Sequence, residues 1–200
     1  CDYDAYFKEM EEMKEKYKGQ ITLKTGIEFG IQVHTTKAYE ETFGQYPFDF
    51  VIFSCHQVEN KEYWRQEPQK GKTQLEYNRR YYQEILDVVK AYKDYSILGH
   101  LDVIKRYDLN GEIELEKIKD LIEQIFEVVI ADGKGIELNT SSRAYHLKSL
   151  MPSREILELY HDMGGKIITI GSDAHNADRV GDRVMESQKI LKEIGFNGIY

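Results

Sequence analysis

Apolar positions follow two periods along this chain, and the switches between them predict its elements. Tyr3, Tyr6, Phe7, Met10, Met13 and Tyr17 recur at helical spacing, which predicts a first helix over 2–18 that packs on the core and stops at Gly19. A β-branched run then predicts a strand over 21–27, with Glu28 at its end. Residues 35–43 read as a short helix with Thr36 as a cap. The apolar run 48–53 reads as a strand that delivers Ser54, Cys55 and His56. Residues 59–72 are polar and contain Pro68 and Gly71, which predicts a long loop able to act as a lid. A helix over 73–92 buries Tyr77, Tyr81, Ile85, Val88 and Val89. A short strand over 95–98 ends at Gly99 and His100, and residues 108–111 form a turn. An amphipathic helix over 115–131 stops at Gly133. A strand over 136–138 leads into Asn139, Thr140, Ser141, Ser142 and Arg143. Ser153 caps a helix that ends at Gly164 and Gly165. The strand 167–170 runs into Gly171, Ser172, Asp173, Ala174 and His175, and a last helix spans 185–193. Residues 197–200 read as the start of a sixth strand.

Helices and strands alternate without hairpin signals, which predicts an α/β domain of parallel strands with helices outside. Five visible strands are too few for an eight-stranded barrel. No repeat or linker divides the 200 residues, so one domain over 1–200 is expected. A net charge of −8 argues against non-specific nucleic-acid binding, because phosphates are repelled. A phosphate-bearing substrate therefore needs local cations. No apolar run is long enough to span a bilayer. Two cysteines, Cys1 and Cys55, without a secretion signal point to a reducing cytoplasm.

The strand ends carry the chemistry. Glu28, His56, His100, Asp173 and His175 each stand at or just past the predicted C-terminal end of a strand. In a parallel barrel those ends meet at one mouth. Imidazole and carboxylate together suit zinc, iron or manganese, and this many donors suits more than one ion, bridged by a carboxylate. For Asp173 and His175 taken alone, a helix cap and a surface histidine remain the alternative. His34, His146 and His161 read as non-ligands: His34 follows its strand end too late, His161 lies inside a helix, and His146 lies in the loop after Arg143, where contact with substrate is the lesser alternative. Arg106 and Arg143 follow strands beside the metal candidates, where a planar guanidinium can grip a phosphate with two hydrogen bonds. Ser141 and Ser142 offer hydroxyl donors beside them, and Glu137 reads as a strand residue that supports the site.

These pieces resemble the polymerase and histidinol phosphatase (PHP) family. Gly26-Ile27-Glu28, Ser54-Cys55-His56, Gly99-His100-Leu101-Asp102, Glu137-Leu138-Asn139-Thr140-Ser141 and Gly171-Ser172-Asp173-Ala174-His175 stand in that family's order and cover most of the chain. The loops that carry Arg106 and Arg143 are most similar to the histidinol phosphatase branch. The resemblance implies a distorted seven-stranded α/β barrel with two or three divalent ions (zinc, manganese or iron) at its mouth. It implies hydrolysis of the small phosphate ester L-histidinol phosphate to L-histidinol and phosphate, in histidine biosynthesis. It assigns Glu28, His56, His100, Asp173 and His175 as metal ligands. It also puts Arg106 and Arg143 at the phosphate; the Ser141 hydroxyl beside them is read as a further phosphate contact, and metal-assisted hydrolysis leaves Asp173 or His175 for a catalytic proton relay. The family opens with a His-x-His pair on its first strand, and no histidine precedes Glu28. The chain is therefore expected to lack the N-terminal part of the barrel, and to be a weak or inactive phosphatase as given. Rival readings are a relative that acts on another phosphoester, and a non-catalytic metal-binding domain.

Overall fold

The computed structural model describes residues 2–200. Cys1 lies outside them. Five parallel strands form one sheet: β1 (Gly26–Gly30), β2 (Phe50–Ser54), β5 (Ile97–Leu98), β6 (Gly135–Asn139) and β7 (Ile168–Gly171), in the order β1-β2-β5-β6-β7. Register pairs Glu28 with Ile52, Ile52 with Ile97, Leu98 with Ile136, and Glu137 with Thr169. The order never reverses, so every crossover steps one strand further in the same direction. A barrel wall is wound this way, whereas a doubly wound sheet reverses at its centre.

The helices are α1 (Tyr3–Lys16), α2 (Thr36–Phe43), α3 (Gln74–Ala91), α4 (Lys119–Ala131), α5 (Arg154–Asp162) and α6 (Val184–Ile194). Thr73 and Glu76 cap α3 reciprocally, and Ser153 accepts from the Ile156 amide at the start of α5. The face of α3 that carries Tyr77, Tyr81, Ile85, Val88 and Val89 is buried, as its spacing predicts. Among the described residues, no helix is long and apolar enough to cross a membrane.

Four expectations need correction. The first strand is shifted: alternation at Ile27, Phe29 and Ile31 carries the chain into the core, whereas Ile21 is 59% exposed. Glu28 consequently stands mid-strand, not past a strand end. Second, the apolar stripe of α1 is not core. None of its residues is fully buried; Tyr6 donates to Gly26 O (2.7 Å), and the rings of Tyr3 and Phe7 pack on Tyr46 and Phe48. Third, a hairpin does occur. β3 (Gln57–Val58) pairs antiparallel with β4 (Lys61–Glu62) through Glu59 and Asn60, both at positive φ (54° and 58°). That is the turn a two-residue hairpin demands. No glycine advertises it, because Gln32 supplies the support: it donates to Asn60 Oδ1 and accepts from the Asn60 amide. Fourth, no sixth strand starts at 197–200. Only the Tyr200 amide donates to Ile168 O, at 2.9 Å.

Candidate metal centre and active site

β1 projects Glu28 from mid-strand, and His56 and His100 follow β2 and β5 by two residues each. Their donor atoms meet: His100 Nε2 lies 2.9 Å and His56 Nε2 3.1 Å from Glu28 Oε1, and the two Nε2 atoms are 3.3 Å apart. Zinc bonds to nitrogen and oxygen run to about 2.0–2.2 Å, which sets neighbouring donors about 3–3.5 Å apart. The three atoms therefore have the spacing of one face of a coordination shell, and this is the group among the described residues that could hold an ion. Gly30 makes room for it, since a Cβ there would stand 2.9 Å from His56 Nδ1.

Burial pushes the Glu28 carboxyl up, but hydrogen bonds from His100 and His56 outweigh it and hold the group far below the ordinary carboxylate range. For His100, burial favours the neutral ring, while the bond to Glu28 and its charge raise the pKa above 6.5. A metal binds only the neutral ring, so a proton competes with it. Metal affinity should thus begin to fall at a higher pH than an ordinary imidazole would impose. A zinc or manganese titration repeated from pH 8 to pH 5.5 checks this; an affinity that stays flat down to pH 6 would contradict it.

A chain of hydrogen bonds runs from this trio to the far wall. Glu137, mid-strand in β6 and buried, accepts from the His100 amide (2.9 Å) and from Asn139 Nδ2 (3.2 Å). Burial raises its pKa. Asn139 Oδ1 accepts from Ser141 N (3.0 Å) and Ser141 Oγ (2.5 Å). Ser141 Oγ in turn meets Arg106 and Asp173. Arg106 donates to Asp173 Oδ2 (2.8 Å), and its guanidinium lies 4.0 Å from the centre of the Tyr145 ring. Its Nε is buried without a partner among the described residues. Asp173 is held at positive φ (48°), and His175 Nδ1 donates to its carbonyl (3.0 Å).

Glu28, His56, His100, Arg106, Asp173 and His175 all line one cavity of about 510 Å³. Asp173 and His175 stand on its wall and are not among the three clustered donors. Ser141 is buried behind that wall. Arg143 is not in this cavity: it is exposed at the end of the turn Thr140–Arg143 and lines a neighbouring cleft with Lys148, Arg154 and Arg183. His34, His146 and His161 do not line the cavity. The segment read as able to act as a lid is anchored to the body of the protein at several points and contributes Tyr63 and Trp64 to the cavity wall. Tyr63 and Gln69 are buried, Gln69 Nε2 donates to Tyr63 O (3.2 Å), and Gln66 Nε2 donates to Tyr107 O (2.6 Å). Sequence reading missed the aromatic lining, which includes Trp64, Tyr107 and Tyr145. Fifteen tyrosines in the chain are a visible signal, but only the fold says which of them face the cavity.

Comparison with known proteins agrees with this arrangement. The PHP domain family matches residues 1–141. A histidinol-phosphatase of Lactococcus lactis subsp. lactis is 30% identical over 196 residues, 96% of this chain and 72% of that protein. A probable histidinol-phosphatase of Clostridium acetobutylicum is 26% identical over 203 residues, 100% of this chain and 76% of the relative. The crystal structure of the L. lactis histidinol phosphate phosphatase, complexed with zinc, L-histidinol and phosphate, superimposes with a TM-score of 0.88 at 27% identity, covering 100% of this chain and 76% of that one. With a match that spans well over half its length, the chain belongs to the PHP domain family.

Proposed function

We propose that this chain is a metal-dependent histidinol-phosphatase, hydrolysing L-histidinol phosphate to L-histidinol and phosphate. The observation that carries the reading is the convergence of Glu28, His56 and His100 to metal-binding distances in a cavity that also holds Arg106. The L. lactis relative, whose structure holds zinc, L-histidinol and phosphate, supports it.

Glu28, His56 and His100 would hold a divalent ion, and Asp173 and His175, on the same cavity wall, would add donors for a set of two or three ions. Zinc, manganese or iron all suit these donors. Such ions supply positive charge that lowers the pKa of water and neutralises phosphoryl oxygens. Arg106, which lines the cavity, would offer its guanidinium to the phosphate while Ser141 and Asp173 hold its Nη2. Arg143, on the turn that carries Ser141, is the second arginine proposed for the phosphate, although it lines the neighbouring cleft in the structure. With Nδ1–H committed to the Asp173 carbonyl, His175 has Nε2 alone for its role, so it would serve either as a metal ligand or as the group that passes a proton toward the leaving alkoxide, not as both at once.

Phosphate release from L-histidinol phosphate, measured with and without added zinc or manganese, tests the reading. Metal-dependent release is expected, and release no faster than in buffer would reject it. Single Arg106→Ala and Arg143→Ala variants should each lose about ten- to a hundredfold in kcat/KM, the worth of one charge-assisted contact. Unchanged kcat/KM in both would remove the arginines from the phosphate site.

A further inference from the structure

Trp64 is the only tryptophan of the chain, and it stands on the cavity wall although 48% exposed. Its neighbours hold it there. Tyr63 on one side is buried and packs edge-on against Tyr81, at 5.4 Å between ring centres. Gln66, just beyond, sits in the left-handed region and donates to both Tyr63 O and Tyr107 O. Arg65 Nε is tied to Glu62 Oε2 at 2.6 Å. The indole is tilted 58° to Tyr107, with centres 6.4 Å apart, so it is not stacked on its nearest aromatic neighbour. An indole beside a cavity, on a backbone anchored on both sides, is a stacking surface whose backbone ordering is already supplied by the fold. Flat heteroaromatic rings, and cationic ones above all, are attracted to an indole face.

We propose that Trp64, backed by Tyr107, forms a ring-binding subsite for the imidazole of the substrate, and that it sets the preference for histidinol phosphate over ring-free phosphate esters. The inference rests on the phosphatase reading and adds a specificity determinant to it. Trp64 touches no phosphate-binding or metal-holding group in the structure's hydrogen-bond network, so its contribution belongs to binding of the ring end.

The test uses the protein's own probe. Tryptophan emission comes from Trp64 alone, so titrating L-histidinol into the metal-loaded chain should change it saturably, whereas inorganic phosphate should not reproduce the change. In parallel, the ratio of kcat/KM for histidinol phosphate to that for phosphoethanolamine should fall about tenfold in Trp64→Leu, the loss of one stacking contact. Trp64→Phe should recover most of that ratio. Flat emission at L-histidinol concentrations that inhibit turnover, together with an unchanged ratio, would overturn the subsite and leave the phosphatase reading intact. No phosphate release from histidinol phosphate by the unaltered chain would overturn both.

Discussion

Glu28→Gln should leave the fold in place and lower metal-dependent phosphate release by about a thousandfold or more. The amide keeps the shape of the side chain but loses the charge on which His56 and His100 converge. Losing several kcal/mol of metal-supplied stabilisation corresponds to that factor, at about 1.4 kcal/mol per tenfold. Metal content should fall with activity. The same substitution should alter the pH dependence of the metal-free fold. His100, raised above 6.5, contributes stability that is present below that value and fades as pH rises through its folded pKa. Glu28, lowered from 4.5, contributes stability that is present above that value and is lost as pH falls toward its folded pKa. The two describe one interaction, strongest between about pH 4.5 and 6.5, and Glu28→Gln should flatten that window. Thermal melts of the metal-free variant from pH 4 to 8 read this directly. A variant that retains full metal content and rate would place the ion elsewhere.

Gly171→Ala should destabilise the chain by about 2–5 kcal/mol and loosen the metal centre with it. A Cβ at that position would lie 1.9 Å from Glu137 Oε1 and 2.9 Å from its Cδ. The carboxylate cannot yield freely, because its other oxygen holds the His100 amide and Asn139 Nδ2 in a buried setting. Overpacking costs about 1–3 kcal/mol, and each buried donor left unpaired adds a comparable amount. For a chain of this size the melting temperature should drop by about 5–15 °C. In a Glu137→Ala background the obstacle is gone, so the cost of Gly171→Ala should shrink. An equal cost in both backgrounds would mean that the clash is relieved by backbone movement instead.

Much of this was legible in the sequence because the chemistry follows strand ends. His56, His100, Asp173 and His175 each trail a short β-branched or aromatic run by a few residues, and those runs are strands. The parallel architecture follows from the alternation of periods. Glu28 was placed in the right cavity for a partly wrong reason: the run 21–27 looks like a strand, but burial of Phe29 and Ile31 selects the later register. The hairpin at Glu59 and Asn60 escaped because the left-handed Asn60 is held by Gln32, distant in sequence. The segment 59–72 reads as a plain loop because composition does not reveal that Gln66 and Gln69 donate to the Tyr107 and Tyr63 carbonyls and so anchor it. The support behind the site, Glu137 to Asn139 to Ser141, depends on side-chain directions that only the folded sheet defines.

Anomalous scattering at the zinc edge from crystals of the zinc-loaded chain tests the central claim most directly. The account predicts a peak within about 2.0–2.2 Å of Glu28 Oε1, His56 Nε2 and His100 Nε2 together. A crystal in which zinc binds only away from these three atoms, or not at all, would contradict it.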